Sequence, residues 1–248
     1  MLLAHATGWD RARIAAEPDL RLPVGASREF AETVRRRLRR EPVAYILGRK
    51  GFRRIELIVD RRVLIPRPET ELLVDIALEA GPARVLDVGT GSGAIALAVA
   101  DELPEADVTA IDTSMDAARV AQANADRLAL ADRVEVVVRG FASLADAGRF
   151  DLLVANLPYV SEAEWEGLAP EIREYEPREA LVPGPTGLEA IQALLGSLAG
   201  LERRPAAIAL EVGAEQAAAV TGLVREAGYR DAETRRDLAG LDRVVIGR

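Results

Sequence analysis

The stretch VLDVGTGSGAIALAVA at residues 85–100 constrains the fold more than any other part of the sequence. It joins an apolar run of strand length to a glycine-rich loop and then to an apolar run of helical length. A buried strand that enters a helix through such a loop is typical of parallel sheets with crossover helices. Further strand and helix patterns alternate after it. The sequence therefore predicts an α/β fold with a doubly wound, mostly parallel sheet.

The alternation can be placed along the chain. The predicted strands are Arg84–Val88, Asp107–Asp112, Arg133–Val138, Asp151–Ala155, Ala206–Val212, Tyr229–Arg235 and Arg243–Ile246. The predicted helices between them are Ile95–Glu102, Ser114–Leu128, Gly187–Leu198 and Glu215–Ala227. The loop between the last two strands is too short for a crossover helix, so these strands must pair antiparallel. The prediction is a seven-stranded sheet with an antiparallel C-terminal strand.

The N-terminal part has a different pattern. Residues 1–48 are predicted to form a small helical domain. Within it, Glu29–Arg40 carries Phe30, Val34 and Leu38 at four-residue spacing, which predicts a helix with one apolar face.

A second segment connects the helical part to the sheet. Residues 49–68 are predicted to be a β-hairpin linker, because Gly51–Ile65 alternates like two short strands with a turn near Asp60–Arg61. A helix that begins at an N-cap on Thr70 is predicted to follow. Residues 69–248 are then predicted to form the α/β domain.

Composition excludes several classes of site. The 248 residues include no cysteine and a single histidine, His5. Disulfides and thiolate nucleophiles are therefore excluded, while Ser–His triads and multi-histidine metal sites lose most of their support, so no metal is expected. No apolar run is long enough to span a bilayer, and the first residues do not form a secretory signal. We expect a cytoplasmic location.

Charge is distributed unevenly along the chain. Residues 1–70 contain 16 basic and 9 acidic side chains, whereas residues 71–248 contain 16 basic and 31 acidic ones. The run RRRLRR at residues 35–40 is explained either by a solvated helix face or by a docking surface for an acidic or nucleic-acid-containing partner. Both explanations stay open at this point.

The glycine-rich loop predicts a nucleoside-binding site. Its residues are Gly89, Thr90, Gly91, Ser92 and Gly93. Asp112, at the end of the next strand, can accept hydrogen bonds from ribose hydroxyls, although it could instead cap the following helix. The glycines are spaced G-x-G-x-G rather than in the G-x-G-x-x-G pattern of NAD sites. Asp87 precedes the loop, and its carboxylate would repel a pyrophosphate but suits a sulfonium or an ammonium group. The loop thus favours S-adenosylmethionine over a dinucleotide.

The segment NLPYV follows the fourth predicted strand and gives the site a reaction. An amide or aryl-amine nitrogen is a poor nucleophile because its lone pair is conjugated. The side-chain oxygen of Asn156 and a backbone carbonyl such as that of Leu157 could hold the two N–H hydrogens and aim the lone pair at a methyl group. Pro158 would stiffen the turn, and Tyr159 would stack on the planar acceptor.

Together these segments resemble the HemK/PrmC family, the N5-glutamine methyltransferases of peptide-chain release factors. The resemblance rests on EPVAYILGRKGF, LIPRPETELLV, VLDVGTGSGAIALA, NLPYV and YEPREALVPGPTGLEAI, which extend over nearly the whole chain. It implies a class I methyltransferase domain with an N-terminal helical domain that helps to hold a release factor. It also implies that Asn156 binds the glutamine of a Gly-Gly-Gln loop, that residues 89–93 and Asp112 bind the cofactor, and that Arg67 and Glu69 lie beside the pocket. An ordinary ion pair between Arg67 and Glu69 is the competing explanation for those two.

The sequence departs from the family pattern in three places. Leu157 replaces a proline, and the spelling N-L-P-Y is also usual in ribosomal RNA adenine dimethyltransferases. Gly140 stands where an adenine-contacting acid is expected, with Phe141 beside it as a candidate to pack on the adenine or in the core. The helical domain begins near what would be its second or third helix, so we expect either a misassigned start codon or a genuinely shortened domain.

The resemblance leads to a defined prediction. The chain is expected to transfer a methyl group from S-adenosylmethionine to the side-chain nitrogen of that glutamine in class I release factors, with no membrane partner. The alternative is methylation of an exocyclic amine of ribosomal RNA or DNA. We expect no direct nucleic-acid binding, because the body of the molecule is acidic.

Overall fold

A seven-stranded sheet organises the part of the chain that the computed structural model describes, which is residues 1–17, 19–140 and 144–248. The strands of the whole structure are β1 (Arg49–Phe52), β2 (Ile55–Ile58), β3 (Arg84–Val88), β4 (Asp107–Asp112), β5 (Val134–Val138), β6 (Leu152–Ala155), β7 (Ala207–Glu211), β8 (Ala232–Arg236) and β9 (Asp242–Gly247). The helices are α1 (Leu2–Thr7), α2 (Arg11–Ala16), α3 (Ala26–Leu38), α4 (Val43–Leu47), α5 (Glu71–Ala80), α6 (Ala94–Glu102), α7 (Met115–Arg127), α8 (Glu162–Trp165), α9 (Pro170–Arg173), α10 (Glu189–Ala199) and α11 (Ala217–Glu226). Within these ranges no helix is both long and apolar enough to cross a bilayer.

The order of strands in the sheet is β5-β4-β3-β6-β7-β9-β8. Strands β3 to β7 pair in parallel, and β9 pairs antiparallel with both β7 and β8. This confirms the predicted doubly wound sheet and its antiparallel C-terminal strand. The register aligns Val88 with both Ile111 and Ala155. As a result, the residues that follow β3, β4 and β6 meet at one edge of the sheet, where ligands of such folds bind.

Two apolar layers cover the two faces of the sheet, because successive side chains of a strand point to opposite faces. In β3, Val85 packs with α5, α6 and α7, while Leu86 and Val88 pack with α10 and α11. Residues 94–100 of α6 are all buried. A helix that is apolar on every side is expected in such an interior position.

The hairpin is present, but the predicted position of its turn is wrong. Phe52 in β1 pairs with Ile55 in β2, which leaves Arg53 and Arg54 in the turn rather than Asp60–Arg61. Arg53 has φ 51° and its side chain bonds Glu102 and Asp75 of the α/β domain. These long-range ion pairs hold a turn that has no glycine or asparagine, so local turn chemistry did not reveal it.

The N-terminal helices pack less tightly than their pattern predicted. In α3 the buried residues are Ala26 and Thr33, and the side of the helix that ends at Leu38 is open, with Leu38 78% exposed. The predicted apolar face therefore holds for half-buried Phe30 and Val34 but is wrong for Leu38.

The arginine run at the end of α3 is largely used inside the molecule. Arg37 and Arg40 both bond Glu171, which lies in α9 of the α/β domain. Arg35 pairs with Glu32, and Arg36 forms two hydrogen bonds with Glu41. These contacts favour a structural role for the run, which ties the helical part to the α/β domain.

Candidate active site

A cavity of about 450 Å³ lies at the edge of the sheet where β3, β4 and β6 end. Six of the predicted site residues line it: Gly89, Gly91, Asp112, Asn156, Leu157 and Pro158. Other walls come from Arg62, Val63 and Leu64 after the hairpin, from Arg139 after β5, and from the segment 177–190. A larger cavity of about 820 Å³ lies between the N-terminal helices and the hairpin and contains none of the predicted site residues.

The glycine loop is shaped by backbone hydrogen bonds to β4. The N–H groups of Gly89 and Thr90 both donate to the carbonyl of Ile111, at 2.9 and 3.0 Å. Gly89, Gly91 and Gly93 all have positive φ, of 76°, 56° and 83°. A Cβ on Gly93 would lie 2.8 Å from Leu97 Cδ1, whereas a Cβ on Gly91 would meet nothing within 4 Å. The loop thus presents bare backbone to the cavity at Gly91 and packs tightly on α6 at Gly93.

Thr90 and Ser92 lie beneath this loop rather than in the cavity wall. Both are buried. The Thr90 hydroxyl donates to Asp87 Oδ2 at 2.7 Å, and the carbonyl of Ser92 accepts from Asn124 Nδ2 at 2.9 Å. These contacts hold the loop from below, so any contact of the two side chains with a cofactor stays a prediction.

Asp87 is a fully buried carboxyl at the end of β3, with 0% exposure. Its Oδ2 accepts from Thr90 and from the N–H of Ala96, while its Oδ1 has no hydrogen-bond partner among the described residues. Burial raises the pKa of Asp87 to about 7, because a charged carboxylate is poorly solvated there. Asp87 is absent from the cavity wall, so it can act on a cation only from beneath the loop.

Asp112 ends β4 and is half-buried at the cavity. Its Oδ2 accepts from the N–H of Gly91 at 2.9 Å, and its Oδ1 accepts from the N–H of Ser114 at 2.8 Å. The cap of α7 is supplied by the Ser114 hydroxyl, which accepts from the N–H of Ala117. Asp112 is therefore released from the capping role and keeps acceptor capacity toward the cavity.

Asn156 directly follows β6, and its amide has a fixed orientation. Its Nδ2 donates to the Thr70 hydroxyl at 3.0 Å. Thr70 is the N-cap residue of α5, as predicted, but its side chain makes no capping bond, and its hydroxyl accepts from Asn156 instead. With the nitrogen engaged by Thr70, the amide oxygen is the end of the side chain left for the cavity.

The rest of the NLPY segment divides between core and cavity. Leu157 is buried against the glycine loop, 3.0 Å from the position of a Cβ on Gly89, and both Leu157 and Pro158 contribute to the cavity wall. The Tyr159 hydroxyl donates to Glu211 Oε1 at 3.3 Å. Burial raises the pKa of Tyr159, so the phenol stays a donor. Tyr159 is not part of the cavity wall, and its stacking on an acceptor stays a prediction.

Glu211 is a residue that sequence reasoning missed. It ends β7, next to β6 in the sheet, and is only 1% exposed. Burial raises the pKa of Glu211 to about 7, and the nearby Thr70, Arg243 and Tyr159 offset that effect in part. The sequence contains a signal for this residue. Glu211 is an acidic residue at the end of the apolar strand AIAL, as Asp87 is an acidic residue within the apolar strand VLDV.

Arg67 and Glu69 do not form an ion pair with each other, because Arg67 is paired with Glu176. Arg67 Nη2 donates to Glu176 Oε1 at 2.6 Å, and Glu176 Oε2 accepts from the N–H of Ile65 at 3.1 Å. Neither Arg67 nor Glu69 lines the cavity. The ion pair attaches the IPRPET segment to the segment that contains Glu176. It can therefore affect the cavity only by positioning the backbone of neighbouring wall residues such as Leu64 and Pro177.

Arg139, directly after β5, lines the cavity together with Asp112. Gly140 is absent from the wall, and Phe141 lies outside the described residues. The N–H of Arg139 donates to the carbonyl of Asp112 at 2.8 Å. The sequence pattern did not indicate Arg139, because the family pattern places a cofactor contact at position 140.

The residues present fit S-adenosylmethionine. The cavity volume lies within the range of about 300–1,000 Å³ that is typical of small-molecule sites. Gly89 and Gly91 offer a backbone cradle, Asp112 offers an acceptor for ribose, and the unpartnered Oδ1 of Asp87 offers negative charge below the loop. No cluster of three or more possible metal ligands occurs in the described ranges.

Comparison with known proteins identifies the family of the chain. Residues 1–48 match the PrmC N-terminal domain, and residues 68–173 match the methyltransferase small domain. Over 254 residues the chain is 41% identical to the release factor glutamine methyltransferase of Nitratidesulfovibrio vulgaris, covering 100% of this chain and 86% of that protein. It is 41% identical over 256 residues to that of Chlorobaculum tepidum, with coverages of 98% and 86%.

Solved structures support the fold alone. The catalytic domain of hMettl16 in complex with MAT2A 3′UTR hairpin 1 matches with a TM-score of 0.64 at 15% identity, covering 83% of this chain and 78% of that one. Ribosomal protein L11 methylase from Lactobacillus delbrueckii subsp. bulgaricus matches with a TM-score of 0.51 at 22% identity, with coverages of 73% and 80%. From its similarity to the curated relatives, the chain belongs to the family of release factor glutamine methyltransferases, which are S-adenosylmethionine-dependent enzymes.

Proposed function

We propose that the chain transfers the methyl group of S-adenosylmethionine to the side-chain amide nitrogen of the glutamine in the Gly-Gly-Gln loop of class I release factors. The observation that carries this proposal is the orientation of Asn156. Its nitrogen bonds Thr70, which leaves its oxygen as a hydrogen-bond acceptor at the cavity beside the glycine loop. An acceptor at that place suits a substrate that brings N–H groups.

The chain's residues would act on the substrate by positioning it. Asn156 Oδ1 and the backbone carbonyl of Leu157 would accept the two N–H groups of the glutamine amide and orient its lone pair. Holding the reacting groups in the productive geometry lowers the barrier without a strong base. Substituting leucine for proline at position 157 preserves this carbonyl, and the buried Leu157 side chain fixes the backbone against the glycine loop.

The cofactor would be held by the loop at Gly89–Gly93 and by Asp112, above the buried carboxyl of Asp87. When bound, S-adenosylmethionine supplies a methyl group on a positively charged sulfur. Ionised Asp87, though it lies below the loop, would favour that charge because little solvent screens it there.

The proposed partner is a protein rather than a nucleic acid. Residues 71–248 contain 31 acidic and 16 basic side chains, which opposes contact with a phosphate backbone. Arg37 and Arg40 are paired with Glu171, so the basic run offers less free charge than its sequence suggests. We propose that residues 1–48, which match the PrmC N-terminal domain, help to bind the release factor. We also propose that the reaction takes place in the cytoplasm.

The proposal is tested with labelled S-adenosylmethionine, a purified release factor and ribosomal RNA in parallel reactions. We expect label in the release factor, none in RNA, and none in a factor whose loop glutamine is replaced by alanine. Asn156→Ala should nearly abolish labelling. Gln192→Ala, which removes an exposed carboxamide on α10, is the matched control and should label at the wild-type rate.

Two results would reject the proposal. Label in RNA would support the alternative function, which is methylation of the exocyclic amine of a nucleobase. Unchanged labelling by Asn156→Ala would show that the carboxamide does not hold the acceptor.

A further inference from the structure

Two hydrogen bonds to buried side chains lie behind the NLPY segment. The Thr70 hydroxyl accepts a hydrogen bond from Asn156 Nδ2 at 3.0 Å, and Glu211 Oε1 accepts one from the Tyr159 hydroxyl at 3.3 Å. Thr70 is buried and lies near enough to Glu211 to lower the pKa of that carboxyl, although no hydrogen bond of normal geometry joins the two. Glu211 Oε2 has no hydrogen-bond partner of normal geometry among the described residues. Tyr159 is thus bonded to a carboxyl on the neighbouring strand, and Asn156 is bonded to a hydroxyl near that carboxyl.

The chemistry of these groups limits the direction of their hydrogen bonds. An amide N–H can only donate, so the Thr70 oxygen accepts from Asn156. The hydrogen of the Thr70 hydroxyl is then free to point to another acceptor, and the ionised Glu211 carboxylate beside it is an acceptor only. A hydroxyl hydrogen that points to Glu211 would give the order amide, hydroxyl, carboxylate, with the Asn156 oxygen on the side of the cavity.

We propose that Glu211 is a positioning residue which, through Thr70, sets which end of the Asn156 amide faces the methyl acceptor. The inference rests on the proposed function, because it assumes an acceptor that brings N–H groups. When Glu211 is protonated it becomes a donor to Thr70. The Thr70 hydrogen then turns toward Asn156, whose oxygen rotates to accept it. The amide nitrogen would then face the cavity and repel the substrate's N–H groups.

The switch is set by the groups that face Glu211. Burial raises the pKa of Glu211 to about 7 and Glu69 acts in the same direction, whereas Thr70, Arg243 and Tyr159 act to lower it. The carboxylate is the form that orients Asn156 correctly. Turnover should therefore rise as pH increases through about 7, in the direction of ionisation.

Matched variants of Thr70 test the connection. Thr70→Ser keeps the hydroxyl, and Thr70→Val keeps the shape without it. We expect Thr70→Val to lower kcat for the release factor by about 10²-fold, as misplacement of a reacting group does. Thr70→Ser should recover most of that loss. Both variants should bind S-adenosylhomocysteine as the wild type does in calorimetry, which shows that the cofactor site has folded.

Glu211→Gln tests the titration. It should lower kcat and remove the rise of kcat through about pH 7, while its circular dichroism stays like that of the wild type. Wild-type kcat in Thr70→Val, or an unchanged pH profile in Glu211→Gln, would overturn the inference.

A measurement without turnover separates this inference from the proposed function. The side-chain NH₂ resonances of Asn156, assigned by their loss in Asn156→Ala, should shift with pH around 7 in the free enzyme. They should not shift in this range in Thr70→Val or Glu211→Gln. If the wild type labels no release factor but these resonances titrate, only the proposed function fails. If it labels the factor and they do not titrate, only the inference fails.

Discussion

Asp87→Asn should make the stability of this protein less dependent on pH. Asp87 is fully buried, and its pKa is raised from 3.8 to about 7. The folded protein therefore retains the Asp87 proton at pH values where the unfolded chain has lost it. A raised carboxyl pKa contributes stability that is complete below about pH 4 and is lost as pH rises to about 7.

The shift gives the size of the effect. A difference of roughly three pH units, at 1.36 kcal/mol each, corresponds to about 4 kcal/mol. Asparagine has nearly the same shape and keeps an acceptor for Thr90 and Ala96 without a charge. The free energy of unfolding of Asp87→Asn relative to wild type should thus increase by about 4 kcal/mol between pH 4 and pH 8.

Urea denaturation followed by circular dichroism, at a series of pH values from 4 to 8, measures this difference. The two proteins provide their own control at the acid end, where both side chains are neutral in the folded state. A difference in unfolding free energy that stays constant over the whole range would refute the reasoning. It would mean that the carboxyl is solvated or paired in the folded state.

Three further changes have defined outcomes. Arg67→Met leaves the buried carboxylate of Glu176, whose side chain is 2% exposed, without its partner. The free energy of unfolding, measured by urea denaturation, should fall by about 3–5 kcal/mol. The double variant Arg67→Met/Glu176→Gln should recover part of that loss. Asn124→Ala removes three hydrogen bonds of 2.7–3.0 Å that join α7 to the hairpin and the glycine loop, and at about 1 kcal/mol each the loss should be about 3 kcal/mol in the same assay. Gly91→Ala should lower the free energy of unfolding by only roughly 1–2 kcal/mol, because alanine disfavours the left-handed backbone at this position. Gly93→Ala should lower it further, because its Cβ would also lie 2.8 Å from the core residue Leu97. Equal melting temperatures for the two variants would contradict this.

Residues that terminate parallel strands were predictable. Asp112 and Asn156 were expected at one edge of the sheet because each follows an apolar run, and parallel strands end at the same edge. The register, which aligns Val88 with Ile111 and Ala155, agrees with this. The roles of these side chains with cofactor and substrate stay predictions that the experiments above test.

Residues whose role depends on distant partners were not predictable. Thr70 is the expected N-cap residue, yet its hydroxyl bonds Asn156, 86 positions away. Arg67 was expected beside the pocket or in a pair with Glu69, yet it pairs with Glu176, 109 positions away. The turn at Arg53 is held by Glu102, 49 positions away. Local pattern carries no information about which of several nearby and distant acceptors a donor will reach.

The sequence by itself determined the order of strands and helices, the glycine loop and the family, because these depend on the period of apolar residues and on motifs within a few positions. Only the tertiary structure decided that Thr90 and Ser92 lie beneath the loop and that buried Glu211 accepts from the Tyr159 hydroxyl. Burial and hydrogen-bond partners are set by packing between elements. The raised pKa of Glu211 arises from that packing, and the sequence could not state it in advance.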